Sequence, residues 1–147
     1  MSAAAAAHQL TELVDVVVRL NGILLAEGDA LTAPFGVTAA RWLVLGALAD
    51  APLSIAEVAR RRGLTRQSVR ESALRLERDG FITRVADPDD ARAPVLTPTA
   101  KARQFLEEIE TIRVGWAQGA STSIETAALD TTLSVLRQLS AALSAKP

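Results

Sequence analysis

Six side chains within seven positions, Thr65, Arg66, Gln67, Ser68, Arg70 and Glu71, carry donors and acceptors that fit the edges of a DNA groove. Arginine can donate twice to guanine, glutamine can pair with adenine, and glutamate can accept from cytosine. The Thr65 and Ser68 hydroxyls can bond phosphates, and a helix amino terminus adds its own attraction for them. Arg75, Arg84 and Arg92 continue the basic set downstream. The competing reading is a solvated helix face with arbitrary charges. The chain's formal net charge is −1, yet residues 54–103 hold 11 Lys and Arg against 7 Asp and Glu. The other 5 basic and 10 acidic residues flank this middle. A small DNA-reading module on a separate helical scaffold would carry such a distribution.

Other chemistry is poorly supplied. Cysteine is absent, which excludes disulfides, zinc fingers and thiol redox sensing. The one histidine, His8, stands near the amino terminus, where fraying is expected. Carboxylates lack metal-ligand spacing, tyrosine is missing, and no glycine-rich phosphate loop occurs. Neither an enzyme, nor a metal site, nor a cofactor is expected.

The elements that must position the basic set begin with one device used three times. Thr38, Ser54 and Thr65 are candidate N-caps. Each follows an apolar residue (Val37, Leu53, Leu64) and precedes another four positions on (Trp42, Val58, Val69), the hydrophobic-staple spacing. Ser54 with Glu57 adds a capping box. These signals predict helices over about 38–49, 54–62 and 65–79, the last two separated by Gly63 and Leu64. In the third, Val69, Ala73 and Leu76 face inward. Phe81–Ala86 is β-prone, Asp87-Pro-Asp-Asp90 is a turn, and 93–96 returns as a second strand with Pro94 at an edge. Thr97-Pro98 then starts a long helix weakened by Gly115 and Gly119, and Thr122 with Glu125 caps the last. An early helix over Leu10–Leu25 ends at Gly28 and Asp29.

Two short helices with a tight glycine turn, followed by a short hairpin, make a winged helix-turn-helix arrangement. Arg92, near the hairpin tip, can reach a minor groove, or can pair with Asp89 or Asp90. The joint order of Ser54-Ile-Ala-Glu-Val-Ala59, Gly63-Leu-Thr-Arg-Gln-Ser-Val69, Leu76-Glu-Arg-Asp-Gly80, Asp87-Pro-Asp-Asp-Ala-Arg92 and Leu96-Thr97 resembles the MarR-type winged-helix regulators. Two features depart from the family pattern. The Arg92-to-Thr97 stretch is about two residues short, which implies a stubby wing, and Ala100 stands where glycine is usual.

The resemblance implies a mainly α fold with a small β-hairpin wing, in one domain over 1–147. Residues 38–97 form the winged helix-turn-helix lobe, and helices 10–29 and 98–145 the dimerisation scaffold. It implies a homodimeric transcription regulator, commonly a repressor, reading a pseudo-palindromic site on double-stranded DNA. The strongly apolar 10–25 and 129–143 helices suit this dimer, or packing on one another within one chain. A small aromatic effector is implied between scaffold and lobe, with Phe35, Arg41, Trp42 and Phe105 as candidate lining, unless these are plain core. The alternative function is a winged-helix protein-interaction module that does not bind DNA. No signal-peptide start and no uninterrupted apolar run of membrane-spanning length occur, so a cytoplasmic location is expected.

Overall fold

The computed structural model describes residues 2–90 and 92–145. The chain divides into two compact units, 1–110 and 111–147.

The first unit opens with α1 (Ala3–Thr32). Its amino end is ordered because the Ser2 hydroxyl accepts from the Ala5 N–H, and a run of alanine, the best helix former, follows. The expected frayed start is thus replaced by helix. The expected stop at Gly28 and Asp29 also fails, because both residues serve contacts with the next helix. Gly28 is buried where α1 crosses α2 (Ala39–Ala47), and a Cβ there would stand 2.8 Å from the Ala39 Cβ. Asp29 Oδ1 accepts from the Ala39 N–H at 2.7 Å, filling an amide left unpaired at the start of α2. Thr32, fully buried, donates to the Gly28 carbonyl at 2.9 Å.

Thr38, Ser54 and Thr65 each cap the helix that follows, as the sequence predicts. Ser54 and Glu57 form the capping box ahead of α3 (Ile55–Arg62). Gly63 ends α3 in the left-handed region at φ 63°, and α4 runs Arg66–Arg78. Val69, Ala73 and Leu76 on α4 are fully buried against Val44, Leu45, Leu48 and Val58. Such side chains each contribute on the order of 1.5–3 kcal/mol by leaving water.

A three-stranded antiparallel sheet of order β1-β3-β2 completes the lobe. β2 (Ile82–Val85) and β3 (Val95–Pro98) form the hairpin, and β1 (Leu53–Ser54) adds a strand that the sequence reading lacks. The return strand is displaced two residues from the expected 93–96, so Pro94 precedes it and Pro98 ends it. Pro98 is tolerated because β1 pairs only Val95 and Leu96, leaving no ladder bond on that side for Pro98 to break. The following helix, α5 (Ala100–Ser121), therefore starts two residues later than Thr97-Pro98 predicts. Thr99 caps it, accepting from the Ala102 N–H while its hydroxyl donates to the Gly80 carbonyl at 2.7 Å. Ala102, Phe105 and Ile109 of α5 close the core.

α5 continues through Gly115 and Gly119, and α6 spans Thr126–Ser144. Glu125 is the N-cap residue of α6 without a side-chain cap bond, so the expected Thr122–Glu125 capping box does not form. Thr122 instead donates to the Gly119 carbonyl at 3.0 Å.

The α1–α2 crossing gives a test. Gly28→Ala gains about 1 kcal/mol of helix propensity but overpacks against Ala39 at about 1–3 kcal/mol, so a net loss of stability is expected. Gly46→Ala, where the new Cβ meets only the flexible tip of Arg62, is expected to be neutral or stabilising. Urea midpoints of both variants check the contrast.

Candidate nucleic-acid interface

The two-residue turn Gly63–Leu64 sets where α4 begins. Leu64 packs partly buried against the core, its N–H donating to the Ala59 carbonyl at 2.9 Å, and Thr65 then caps α4 by accepting from Ser68 N–H at 3.1 Å. With Val69, Ala73 and Leu76 inward, the opposite face presents Arg66, Gln67, Arg70 and Glu71 to solvent. Three of these are linked. Arg70 Nη1 donates to Gln67 Oε1 at 3.2 Å, and Gln67 Nε2 donates to Glu71 Oε1 at 2.9 Å. The bonds hold the Gln67 amide in one orientation between a cation and an anion, which restrains a flexible side chain.

Arg84 occupies an unusual place. The register sets Leu53, Leu96 and Arg84 in one row across the sheet, and residues in one row share a face. Leu53 and Leu96 are buried, so Arg84 stands at an inward position of β2, its side chain only 26% exposed. Glu77 Oε2 accepts from its Nε at 3.1 Å. Arg84 Nη2 is buried and has no hydrogen-bond acceptor among the described residues.

The hairpin tip is built from aspartates. Asp87 Oδ1 accepts from Asp89 N–H at 2.9 Å and Asp90 Oδ1 from Arg92 N–H at 3.0 Å. Asp90 therefore engages the backbone of Arg92, not its guanidinium. A cavity of about 370 Å³ lies between tip, sheet and helix, and Arg66, Arg70, Arg84 and Arg92 all line it, with Ser54–Ala56. Four of the nine basic and polar residues singled out from sequence thus converge on one concavity. Thr65, Gln67, Ser68 and Glu71 lie on the same helix beside it. Arg75 does not join: its Nε pairs with Asp79 Oδ2 at 3.3 Å, toward the carboxyl end of α4. One contributor escaped the sequence reading. Arg60 shares a groove with Arg66 and Glu57 beside the amino end of α4, and the run Arg60-Arg61-Arg62 before the glycine turn was the available signal.

The candidate effector residues regroup. Phe35 and Phe105 meet edge to face at 5.2 Å, and Phe81 meets Phe105 at 5.9 Å. Together with Lys101, Gln104 and Glu108 they line a cavity of about 260 Å³. Arg41 and Trp42, on α2, do not line it, and Trp42 packs against the core. Lys101 Nζ sits 4.5 Å from the Phe81 ring centre and donates to the Asp79 carbonyl at 2.7 Å.

A helix-turn-helix whose second helix turns its polar face outward, beside a short hairpin, defines a winged-helix DNA-binding fold. Comparison with known proteins agrees. The MarR family profile matches residues 35–93. An HTH-type transcriptional repressor of Mycobacterium tuberculosis is 30% identical over 95 residues, covering 64% of this chain and 68% of that protein. An uncharacterized protein of the same organism is 32% identical over 138 residues, 94% of this chain and 96% of the relative. In fold, the chain is similar to a MarR/EmrR family transcriptional regulator from Acinetobacter sp. ADP1, with TM-score 0.83 and 18% identity over 92% of this chain and 97% of the other. The chain belongs to the MarR family.

The cap at the head of α4 can be separated from the helix's outward face. Thr65→Ala is expected to cost about 1 kcal/mol of stability, seen as a lower urea midpoint at unchanged slope. Arg66→Ala, one residue on, is expected to stay within about 0.5 kcal/mol of the parent.

Proposed function

We propose that the chain is a homodimeric transcription repressor that places α4 in the major groove of a pseudo-palindromic operator. The observation that carries this reading is the convergence of Arg66, Arg70, Arg84 and Arg92 beside the outward amino-terminal turns of α4. The groove offers α4 base edges that Arg70, Gln67 and Glu71 are suited to bond, while flanking phosphates suit Thr65, Ser68 and Arg66. Four cations around one concavity favour a polyanionic partner, and DNA is the polyanion that a winged helix-turn-helix presents α4 to. The repressor sense is supported by the name of the mycobacterial relative. A cytoplasmic location accompanies this reading, and none of the described helices is long and apolar enough to cross a membrane.

Exposed apolar residues support the dimer. On α1, Leu10, Val14, Val17, Leu20 and Leu24 share one helical stripe and are all exposed, and Val18 is 68% exposed. On α6, Leu129, Leu133 and Leu143 are exposed as well. A second copy of the chain is the partner that covers these faces. Two recognition helices related by that two-fold axis meet half-sites about 10 base pairs apart.

The phenylalanine cavity supports a small aromatic acid as effector. Its size suits a single ring, the three aromatic rings supply edge and face contacts, and Lys101 retains donors for a carboxylate.

Fluorescence anisotropy on duplexes from the chain's own upstream region, with random DNA alongside, tests the main reading. Binding is expected to exceed the random control and to weaken steeply between about 50 and 200 mM salt. Arg70→Ala is expected to cost about 1–3 kcal/mol of operator affinity, and Arg75→Ala less, because Arg75 is committed to Asp79. A folded dimer that binds none of the DNA favours the interaction module, and a monomer mass in sedimentation at micromolar concentration removes the dimer. Melting curves with a panel of benzoate-type acids test the effector, and flat responses throughout eliminate it.

A further inference from the structure

We infer that Leu74 is a specificity-determining contact, the side chain of α4 that reads a 5-methyl group in the major groove, with thymine as the base that carries it. The inference rests on the operator-reading proposal above and deepens it by naming a base feature that has no hydrogen-bonding group. Three observations carry it. Leu74 is 52% exposed, although α4 buries Val69, Ala73 and Leu76 completely, and it is not among the hydrophobic residues packed against the core. Between residues 33 and 110, the only other exposed large hydrophobic side chain among the described residues is Val85. Leu74 stands seven positions after Gln67 and three after Glu71, so it shares the outward stripe of α4 with both.

Single exposed leucines are ordinary, and this one is set apart by its neighbours. The residues a turn before and after it, Arg70, Glu71, Glu77 and Arg78, are all charged and exposed. A protein partner that covered Leu74 would have to strip water from these charges for one apolar contact, and protein interfaces are depleted of charge at their buried centre. A row of base edges suits the mixture. It offers hydrogen-bonding groups to the charged and amide side chains, and each thymine adds a methyl that an apolar side chain engages. Gln67 is held between Arg70 and Glu71, so that turn is polar and fixed, and Leu74 is the apolar member of the stripe. Helical side chains lean toward the amino end of their helix, the end that enters the groove, which carries Leu74 over the Arg70–Glu71 turn. Seven residues advance about 10 Å along α4, or about three base-pair steps, so Leu74 meets a different base from the one that faces Gln67.

Thymine and 5-methylcytosine both carry this methyl, and base replacement in one half-site of the bound upstream duplex separates them. Deoxyuridine, which lacks only the methyl, is substituted for each thymine in turn, and affinity is read by fluorescence anisotropy on the full-length protein. One position is expected to weaken parent binding about fourfold, the effect of withdrawing one buried methyl group. Leu74→Ala is expected to bind the unmodified duplex about fourfold more weakly and to show no further loss at that position, the signature of a shared contact. Val85→Ala is expected to keep the full response, and both variants to unfold near the parent's urea midpoint, because both side chains are exposed. Cytosine and 5-methylcytosine, paired with guanine, are then placed at the responding position. With the coupling established, tighter binding of the methylated base extends the contact to methylcytosine, and equal binding confines it to thymine. Binding in which no thymine responds through Leu74, or in which Leu74→Ala and Val85→Ala lose the response alike, overturns the contact and leaves the regulator reading intact. A folded protein that binds no DNA overturns both.

Discussion

The surface that meets DNA in our proposal depends on two residues, Gly63 and Leu64, that join α3 to α4. Gly63 at φ 63° takes a conformation that costs an L-residue about 1–2 kcal/mol, so the chain can reverse there within one residue. Leu64 then anchors the turn in the core, and Thr65 restarts the helix with its own cap. Each step is worth little against a total stability of roughly 5–15 kcal/mol. Together they leave α4 one direction and one rotation, the one that buries Val69, Ala73 and Leu76. Outward presentation of Arg66, Gln67 and Arg70 follows from what the other face must bury.

The sheet extends this constraint to residues distant in sequence. Leu96 pairs with Leu53 on one side and Arg84 on the other, so the start of α3, the centre of β3 and the middle of β2 form one row. The row ends on a cation where alternation from Ile82 calls for an apolar side chain. Glu77 compensates part of the burial of Arg84, and the remaining demand appears at Nη2. A buried polar group with an unmet requirement is uncommon in native structures and calls for an explanation.

What was legible in the sequence was local. The three N-caps, the Ser54–Glu57 box and the Gly63 terminator involve partners within a few residues, so spacing alone reveals them. The inward face of α4 was equally plain from its period. Illegible features each depended on a partner distant in sequence. Gly28 and Asp29 look like a helix stop until Ala39 arrives to use both, one for close approach and one for a cap. Leu53–Ser54 serves as a strand only because Val95 and Leu96 lie alongside, and a two-residue pairing has no periodicity to detect. Thr97 and Thr99 are both plausible caps, and the hairpin register chooses between them. A shift of two keeps every side chain on its face, which is why the hairpin itself was recoverable while its bounds were not. The aromatic cavity was half legible: Phe35 and Phe105 meet, but Phe81 and Lys101 replace Trp42 and Arg41 for reasons of packing that no spacing displays.

The joint between α1 and α2 bears on how a signal could travel in the proposed dimer. A helix of 30 residues extends about 45 Å, and the buried residues of this one, Gly28 and Thr32, lie near its carboxyl end. There the crossing is tight: Gly28 lies against Ala39, and the Asp29 carboxylate occupies the head of α2. Neither contact tolerates a gradual change, because a methyl-sized clearance and a 2.7 Å hydrogen bond are both lost within a small displacement. These two contacts tie the last turns of α1 to the head of α2. In the proposed dimer, the spacing of the two copies of α4 would be set where copies of the chain meet. An effector in the cavity under Phe35, Phe81 and Phe105 would act within the lobe, since the cavity's walls come from the segment after α1, the start of β2 and the first turns of α5. From there its route to the dimer contacts would run through the Gly28–Ala39 crossing.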